Sequence, residues 1–158
     1  MGDARQTQEG VSVVGPGDFA RVMEVWEASV RATHTFVTDA DLDVFRPLVW
    51  ESLPQVPHLL CVRDGDGEVV GFIGVEGETV EMLFIEPSWR GQGIGRRLLH
   101  SAVETLGANA LDVNEQNPQA FGFYERMGFE VVGRSAVDTT GKPYPLLHMR
   151  LRGEASPS

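Results

Sequence analysis

A strand-like run from Thr79 to Ile85 passes through Arg90-Gly91-Gln92-Gly93-Ile94-Gly95 into apolar residues at helical spacing, Ile94, Leu98, Leu99, Ala102, Val103 and Leu106. No other feature of the chain narrows the choice of fold as much, because the order strand, glycine loop, helix ties a sheet to a helix through exposed backbone. The helix turns its unpaired first N–H groups toward the loop, which makes an anion site. Arg90, Arg96 and Arg97 lie in the same stretch. Taken singly, the glycines are a tight turn and the arginines a solvated helix face; their coincidence favours a phosphate site.

Whole-chain properties limit what the loop can belong to. At 158 residues and 42% hydrophobic composition, the chain is long enough for one domain with a real core and too short for two. The expected domain is 10–152, with 1–9 and 153–158 as disordered tails. No apolar stretch has the length of a signal peptide or a membrane span. The start MGDARQ resembles a myristoylation site but carries Gln6 where Ser or Thr is needed. A lone cysteine, Cys61, forms no internal disulfide, which suits a cytoplasmic protein. His34, His58, His100 and His148 show no paired ligand spacing, so no metal is expected. The formal charge of −10, from 23 acidic and 13 basic residues, repels nucleic acid and anionic membranes and points to a neutral or cationic partner.

Spacing separates the phosphate loops. A dinucleotide fingerprint fails because its third glycine position, counted from Gly91, is Arg96, and a P-loop fails because the only lysine is Lys142. The remaining pattern, Arg90-Gly91-Gln92-Gly93-Ile94-Gly95, resembles the acetyl-CoA loop of the GNAT superfamily of N-acetyltransferases. The segments SVRATHTF, DVNEQNPQAFGFYERMGF and GRSAVDTTGKPYPLL extend the likeness to the YjaB-type bacterial members.

The order of elements agrees with this resemblance. VSVV is a short strand, and a helix follows from Phe19 through Arg31. A second helix runs from about Asp39 to Leu53, stopped by Pro54. HLLCVRDGDGEVVGFIGV forms a hairpin, and TVEMLFIEP is the fourth strand. After the loop and its helix come ALDV, a helix from Pro118 to Met127, EVVGRS and YPLLHMRL. The expected fold is α/β of the α+β kind: a mixed, mostly antiparallel sheet flanked by helices and, by resemblance, splayed between its fourth and fifth strands.

The resemblance implies a donor site along Leu83, Phe84 and Ile85, through Arg90, Gly91, Gln92, Gly93, Ile94, Gly95 and Arg96, and at Asn117 and Tyr124. Asn117 before Pro118 is also an N-cap, which is a sufficient structural role by itself; Asn114 is a weaker candidate. Gly122 sits inside a predicted helix at a cost of about 1 kcal/mol against alanine, for a close approach or for packing. On spacing alone Tyr124 is a core aromatic, whereas the resemblance makes it the general acid for the departing thiolate.

A base is required as well, because the attacking amine is mostly protonated at neutral pH. Glu81 alternates with Leu83 and Ile85, so it is either an inward-facing base or a surface glutamate. His34, between the first two helices, is the other candidate. The family builds acceptor pockets from that region and from the last loop, with Asp138, Tyr144 and His148. The backbone N–H near Leu83 would stabilise the thioester oxygen. Cys61 would offer an acyl-enzyme route, but LLCV reads as a buried strand. The expectation is direct acetyl transfer from acetyl-CoA to a primary amine, on a cationic small molecule or peptide, by a monomer or homodimer. A non-catalytic acyl-CoA sensor is the rival reading.

Overall fold

The computed structural model describes residues 6–8, 10–33, 37–139 and 141–152, the first three by their backbone alone. The chain runs through β1 (Gln6–Gln8), β2 (Val11–Val13), α1 (Phe19–Thr33), α2 (Asp39–Ser52), β3 (His58–Arg63), β4 (Val69–Glu76) and β5 (Thr79–Ile85). It continues through α3 (Ile94–Leu106), β6 (Ala110–Asn114), α4 (Pro118–Arg126), β7 (Phe129–Ser135) and β8 (Leu146–Leu151). The strands form one sheet in the order β1-β2-β3-β4-β5-β6-β8-β7. The seven expected strands and four expected helices are present. The eighth strand, β1, corrects the tail boundary, because Gln6–Gln8 pairs with β2 inside the stretch 1–9.

Each helix forms because its apolar residues recur on one face. In α1 the buried residues are Val22, Val25, Trp26, Ser29 and Val30, a stripe one helical face wide. Thr38 caps α2 with a reciprocal bond to Asp41, and Gly107, in the left-handed region at φ 73°, ends α3. The helices bury these stripes on opposite faces of the sheet. One core joins α3 and α4 to the sheet through Leu98, Leu99, Tyr124 and Phe129; the other joins α1 and α2 through Val25, Trp26, Leu42 and Phe72. Strand β4 lies between the two and is buried from Val69 to Val75.

Two irregularities shape the centre of the sheet. All adjacent pairs are antiparallel except β5 and β6, which are parallel and register only at Thr79↔Ala110 and Val80↔Leu111. Past Val80 the two strands part, so Leu83, Phe84 and Ile85 have no registered partners on that side. The second irregularity is a bulge: Val75 pairs with Val80 and Gly74 with Met82, which leaves Glu81 as the extra residue. Gly71 on β4 then lets α3 come close, since a Cβ there would stand 2.8 Å from Ile94 Cγ2 and 2.9 Å from Ile85 Cδ1. The start of α3 is thereby seated beside the opening. No helix among the described residues is long and apolar enough to cross a membrane.

Candidate active site

The loop between β5 and α3 begins with a cap and ends without one. The Glu86 side chain accepts from Ser88 N at 3.1 Å and starts a single 3-10 turn, Pro87–Trp89. Gly91 at φ 79° and Gly93 at φ 80° then take left-handed conformations that most side chains resist. Gly93 is the N-cap of α3 and brings no capping side chain, so the first N–H groups of the helix face outward unpaired. Arg96 and Arg97 occupy the first turn, where the helix dipole disfavours cations. An anion at this end would relieve both conditions. Arg90 Nη2 donates to Ser29 Oγ at 3.3 Å and ties the loop to α1, while burial lowers the pKa of its guanidinium.

The loop forms one wall of a cleft of about 490 Å³ running from the parting of β5 and β6 along α3 and α4. Every residue that the sequence analysis assigns to the donor site lines this cleft except Gln92, which points to solvent. Asn117 caps α4 by accepting from Ala120 N at 3.2 Å and lines the cleft too, so its side chain serves structure at the site's edge. Tyr124 is 8% exposed, with its ring packed edge-on to Phe123 and Phe129. Its hydroxyl makes no hydrogen bond among the described residues, and burial pushes its pKa well above the ordinary phenol value. A phenol in that setting stays protonated at neutral pH.

A second cavity of about 360 Å³ lies on the α1 and α2 side of the sheet. Trp26, Val30, Phe45 and Val49 make an apolar wall, and Asn114, Asp138 and Tyr144 add polar groups from β6 and the β7–β8 loop. Phe84 lines both cavities, so they adjoin at β5. A latch closes the far side: the Tyr144 hydroxyl donates to Asp41, and Lys142 Nζ stands 3.6 Å from the same carboxylate. Tyr144 foremost, with the Thr38 backbone, holds Asp41 below the usual carboxylate range.

Three expectations change. The bulge breaks the alternation that would turn Glu81 inward: Glu81 is exposed and lines neither cavity. Desolvation, followed by Glu76 and Asp112, raises its pKa. His148 belongs to β8 rather than the last loop, with Nδ1 2.6 Å from Asp112 Oδ1 and Nε2 2.7 Å from Ser135 Oγ. Asn114 lines the second cavity instead of the donor cleft. His34 lies outside the described residues. Cys61 is fully buried, with Sγ 3.7 Å from Ser12 Oγ, and lines neither cavity. No group of three or more His, Cys, Asp or Glu among the described residues is placed to hold a metal ion.

Gln119, Phe123 and Arg126 of α4 also line the cleft, a contribution not expected from the sequence. Their i, i+4, i+7 spacing is the available signal, although the same spacing serves equally well for a solvated face.

Residues 31–152 match the Acetyltransferase (GNAT) domain family. The peptidyl-lysine N-acetyltransferase YjaB of Salmonella typhimurium is 46% identical over 129 residues, covering 82% of this chain and 88% of that protein. The solution structure of apo-form YjaB from Escherichia coli superposes with a TM-score of 0.83 at 38% identity, over 90% of this chain and 97% of the other. The PaiA N-acetyltransferase of Thermoplasma acidophilum, solved in complex with coenzyme A, shares the fold with a TM-score of 0.67 at 18% identity, over 89% and 97% of the two chains. On sequence and fold together, this chain belongs to the GNAT acetyltransferase family.

Proposed function

We propose that this enzyme transfers the acetyl group of acetyl-CoA to the side-chain amine of a lysine in a peptide or protein, by direct attack while both substrates are bound. The observation that carries the reading is the meeting of two unlike cavities at Phe84. The donor cleft has outward backbone N–H groups and arginines suited to a pyrophosphate, and the Thermoplasma protein of the same fold holds coenzyme A. The neighbouring cavity, walled by apolar side chains, suits the methylene stem of a lysine, and the Salmonella relative is a peptidyl-lysine acetyltransferase. A site for acetyl-CoA also suits a cytoplasmic enzyme.

In this reading the unpaired edge at Leu83 directs an N–H at the thioester oxygen as charge develops there. The amine nitrogen forms its bond to the carbonyl carbon, the carbon–sulfur bond breaks, and the Tyr124 hydroxyl gives its proton to the departing thiolate. The attacking ammonium gives its proton to a base; Glu81, which lines neither cavity, would act only through a relay of waters, and His34 is the other candidate for this step. The test is incubation with acetyl-CoA and lysine peptides, alongside polyamines, aminoglycosides and free amino acids. Thiol release with a mass gain of one acetyl group on the lysine peptide is expected. Turnover confined to a small-molecule amine would overturn the peptide assignment.

A further inference from the structure

We propose that Ser135, His148 and Asp112 form a second reactive centre, in which His148 activates the Ser135 hydroxyl to attack and hydrolyse carboxylic esters with small acyl groups. The trio lines neither cavity, so the proposal stands apart from the acetyl-transfer reading, and an acetyl group held in the donor cleft does not reach it.

The first observation is the geometry of the three side chains. Strands β6, β8 and β7 are consecutive in the sheet, and each contributes one member. Asp112 is directly opposite His148, with Oδ1 2.6 Å from Nδ1. On the far side of the imidazole, Nε2 is 2.7 Å from Ser135 Oγ. A carboxylate can only accept, so in the neutral ring Nδ1 keeps the proton and Nε2 accepts from the Ser135 hydroxyl. A nucleophile, a base and the group that orients the base are thereby joined in order.

The second observation accounts for Gly133. It is Gly133, and not Ser135, that pairs with His148 across β7 and β8. A Cβ there would stand 3.3 Å from His148 Cδ2 and 3.8 Å from His148 Cβ, so a side chain would crowd the ring. The glycine leaves the imidazole free to lie over β7 and meet the residue two positions further on.

The third observation is that cohesion of the sheet does not call for the trio. Backbone ladders already join β8 to β6, from Ala110↔Arg150 to Asn114↔Leu146, and to β7, from Phe129↔Leu151 to Ser135↔Leu146. The side chains of His148 and Asp112 are 36% and 45% exposed, where a polar pair adds at most about 1 kcal/mol. That exposure lets an ester approach the half-buried Ser135. Because β7 ends the sheet, alternate N–H groups along its outer edge have no strand partner among the described residues, and that of Arg134 or Ser135 is one of them. Such a donor suits the ester oxygen as charge develops on it.

In the reaction, Ser135 Oγ forms its bond to the ester carbonyl carbon as Nε2 takes the hydroxyl proton. The imidazolium returns that proton to the departing alkoxide as the carbon–oxygen bond breaks. Water then gives a proton to Nε2 and bonds to the acyl carbon, which releases the carboxylic acid and restores the Ser135 hydroxyl.

The test is labelling of the native protein with a fluorophosphonate probe, the modified residue being located by peptide mass mapping. Hydrolysis of p-nitrophenyl acetate is measured alongside for the native protein, Ser135→Ala and His148→Gln, with melting temperatures to verify folding. An adduct on Ser135 is expected in the native protein and none in His148→Gln, although that variant keeps the hydroxyl. Both substitutions should lower ester turnover roughly 100-fold, on the scale of a positioned base, while Ser135→Ala acetylates a lysine peptide at the native rate. Folded native protein without an adduct at Ser135, or ester turnover unchanged in Ser135→Ala, would overturn the centre and leave the acetyl-transfer reading intact. Equal loss of both activities in Ser135→Ala would place the trio in acetyl transfer and overturn its independence.

Discussion

The donor cleft and the acceptor cavity share Phe84 and little else. The cleft is built mostly from two short stretches of chain, 83–96 and 117–127, and presents backbone N–H groups, glycines and arginines. The cavity draws on α1, α2, β5, β6 and the β7–β8 loop and presents mainly apolar side chains. In the proposed reading one recognises charge with main chain that the fold holds fixed, and the other recognises shape with side chains from many elements. The difference has consequences for mutation: the cleft should fail at single backbone positions, whereas the cavity should lose performance by degrees.

The largest effect is expected where the two regions meet in chemistry. Tyr124→Phe keeps the packed ring and removes only the hydroxyl, so kcat should fall by roughly 10² to 10⁴ while acetyl-CoA affinity and melting temperature change far less. The deficit should shrink with a donor whose thiol is more acidic. Equal rates for the two proteins, with chemistry rate-limiting, would return Tyr124 to the core.

Gly93→Asp comes next, because it puts a side chain on a residue at φ 80° and a negative charge at the start of α3. Acetyl-CoA affinity should fall about 100-fold by calorimetry, with the acceptor KM at saturating donor little changed. An unaltered affinity would move the anion site elsewhere.

On the acceptor side, Tyr144→Phe opens the latch to Asp41. The acceptor KM should rise roughly three- to tenfold, for the loss of one hydrogen bond to a charged group, with acetyl-CoA affinity unchanged. The sign of the accompanying stability effect follows from the depressed pKa of Asp41. Its stabilisation is present above the unfolded value near 3.9 and is lost as pH falls through the lower folded one. The variant should therefore melt below the native protein at pH 7, and the gap should close in acid. A fall in acetyl-CoA affinity matching the acceptor effect would erase the division between the two regions.

The smallest effect is expected at Glu81, an exposed residue whose folded-state pKa is raised. Such a carboxyl costs stability as pH rises from its unfolded value, about 4.3, through the folded one. Glu81→Gln should melt slightly higher than native protein at pH 7 and no differently near pH 4. Its turnover should be lower at neutral pH, with the deficit narrowing as more amine is free. A constant activity ratio across pH would pass the base role to His34.

The same contrast explains what could be read in advance. The loop was legible as a candidate anion site because glycine spacing and a helix start are features of contiguous backbone that leave a mark in the sequence. Asn117 was legible as a cap for the same reason, whereas spacing marks Tyr124 as the packed aromatic that it is, and its role as acid is proposed on the family resemblance. The two readings of Glu81, inward base or surface glutamate, could not be separated by alternation, because the bulge that leaves it exposed depends on how β4 pairs with β5. The latch between Asp41 and Tyr144 joins residues 103 positions apart, and nothing local marks either as a partner. Gln119, Phe123 and Arg126 carry no distinguishing mark in the sequence, because their helical spacing serves a solvated face equally well.

In the proposed reaction the two cavities are filled together and the acetyl group crosses between them without resting on the protein. Initial rates measured over a grid of acetyl-CoA and lysine-peptide concentrations test it most directly, combined with the intact mass of enzyme incubated with acetyl-CoA alone. Transfer within a ternary complex gives intersecting double-reciprocal lines and no acetylated enzyme. Parallel lines, with an acetyl group on the protein that later passes to the peptide, would contradict it.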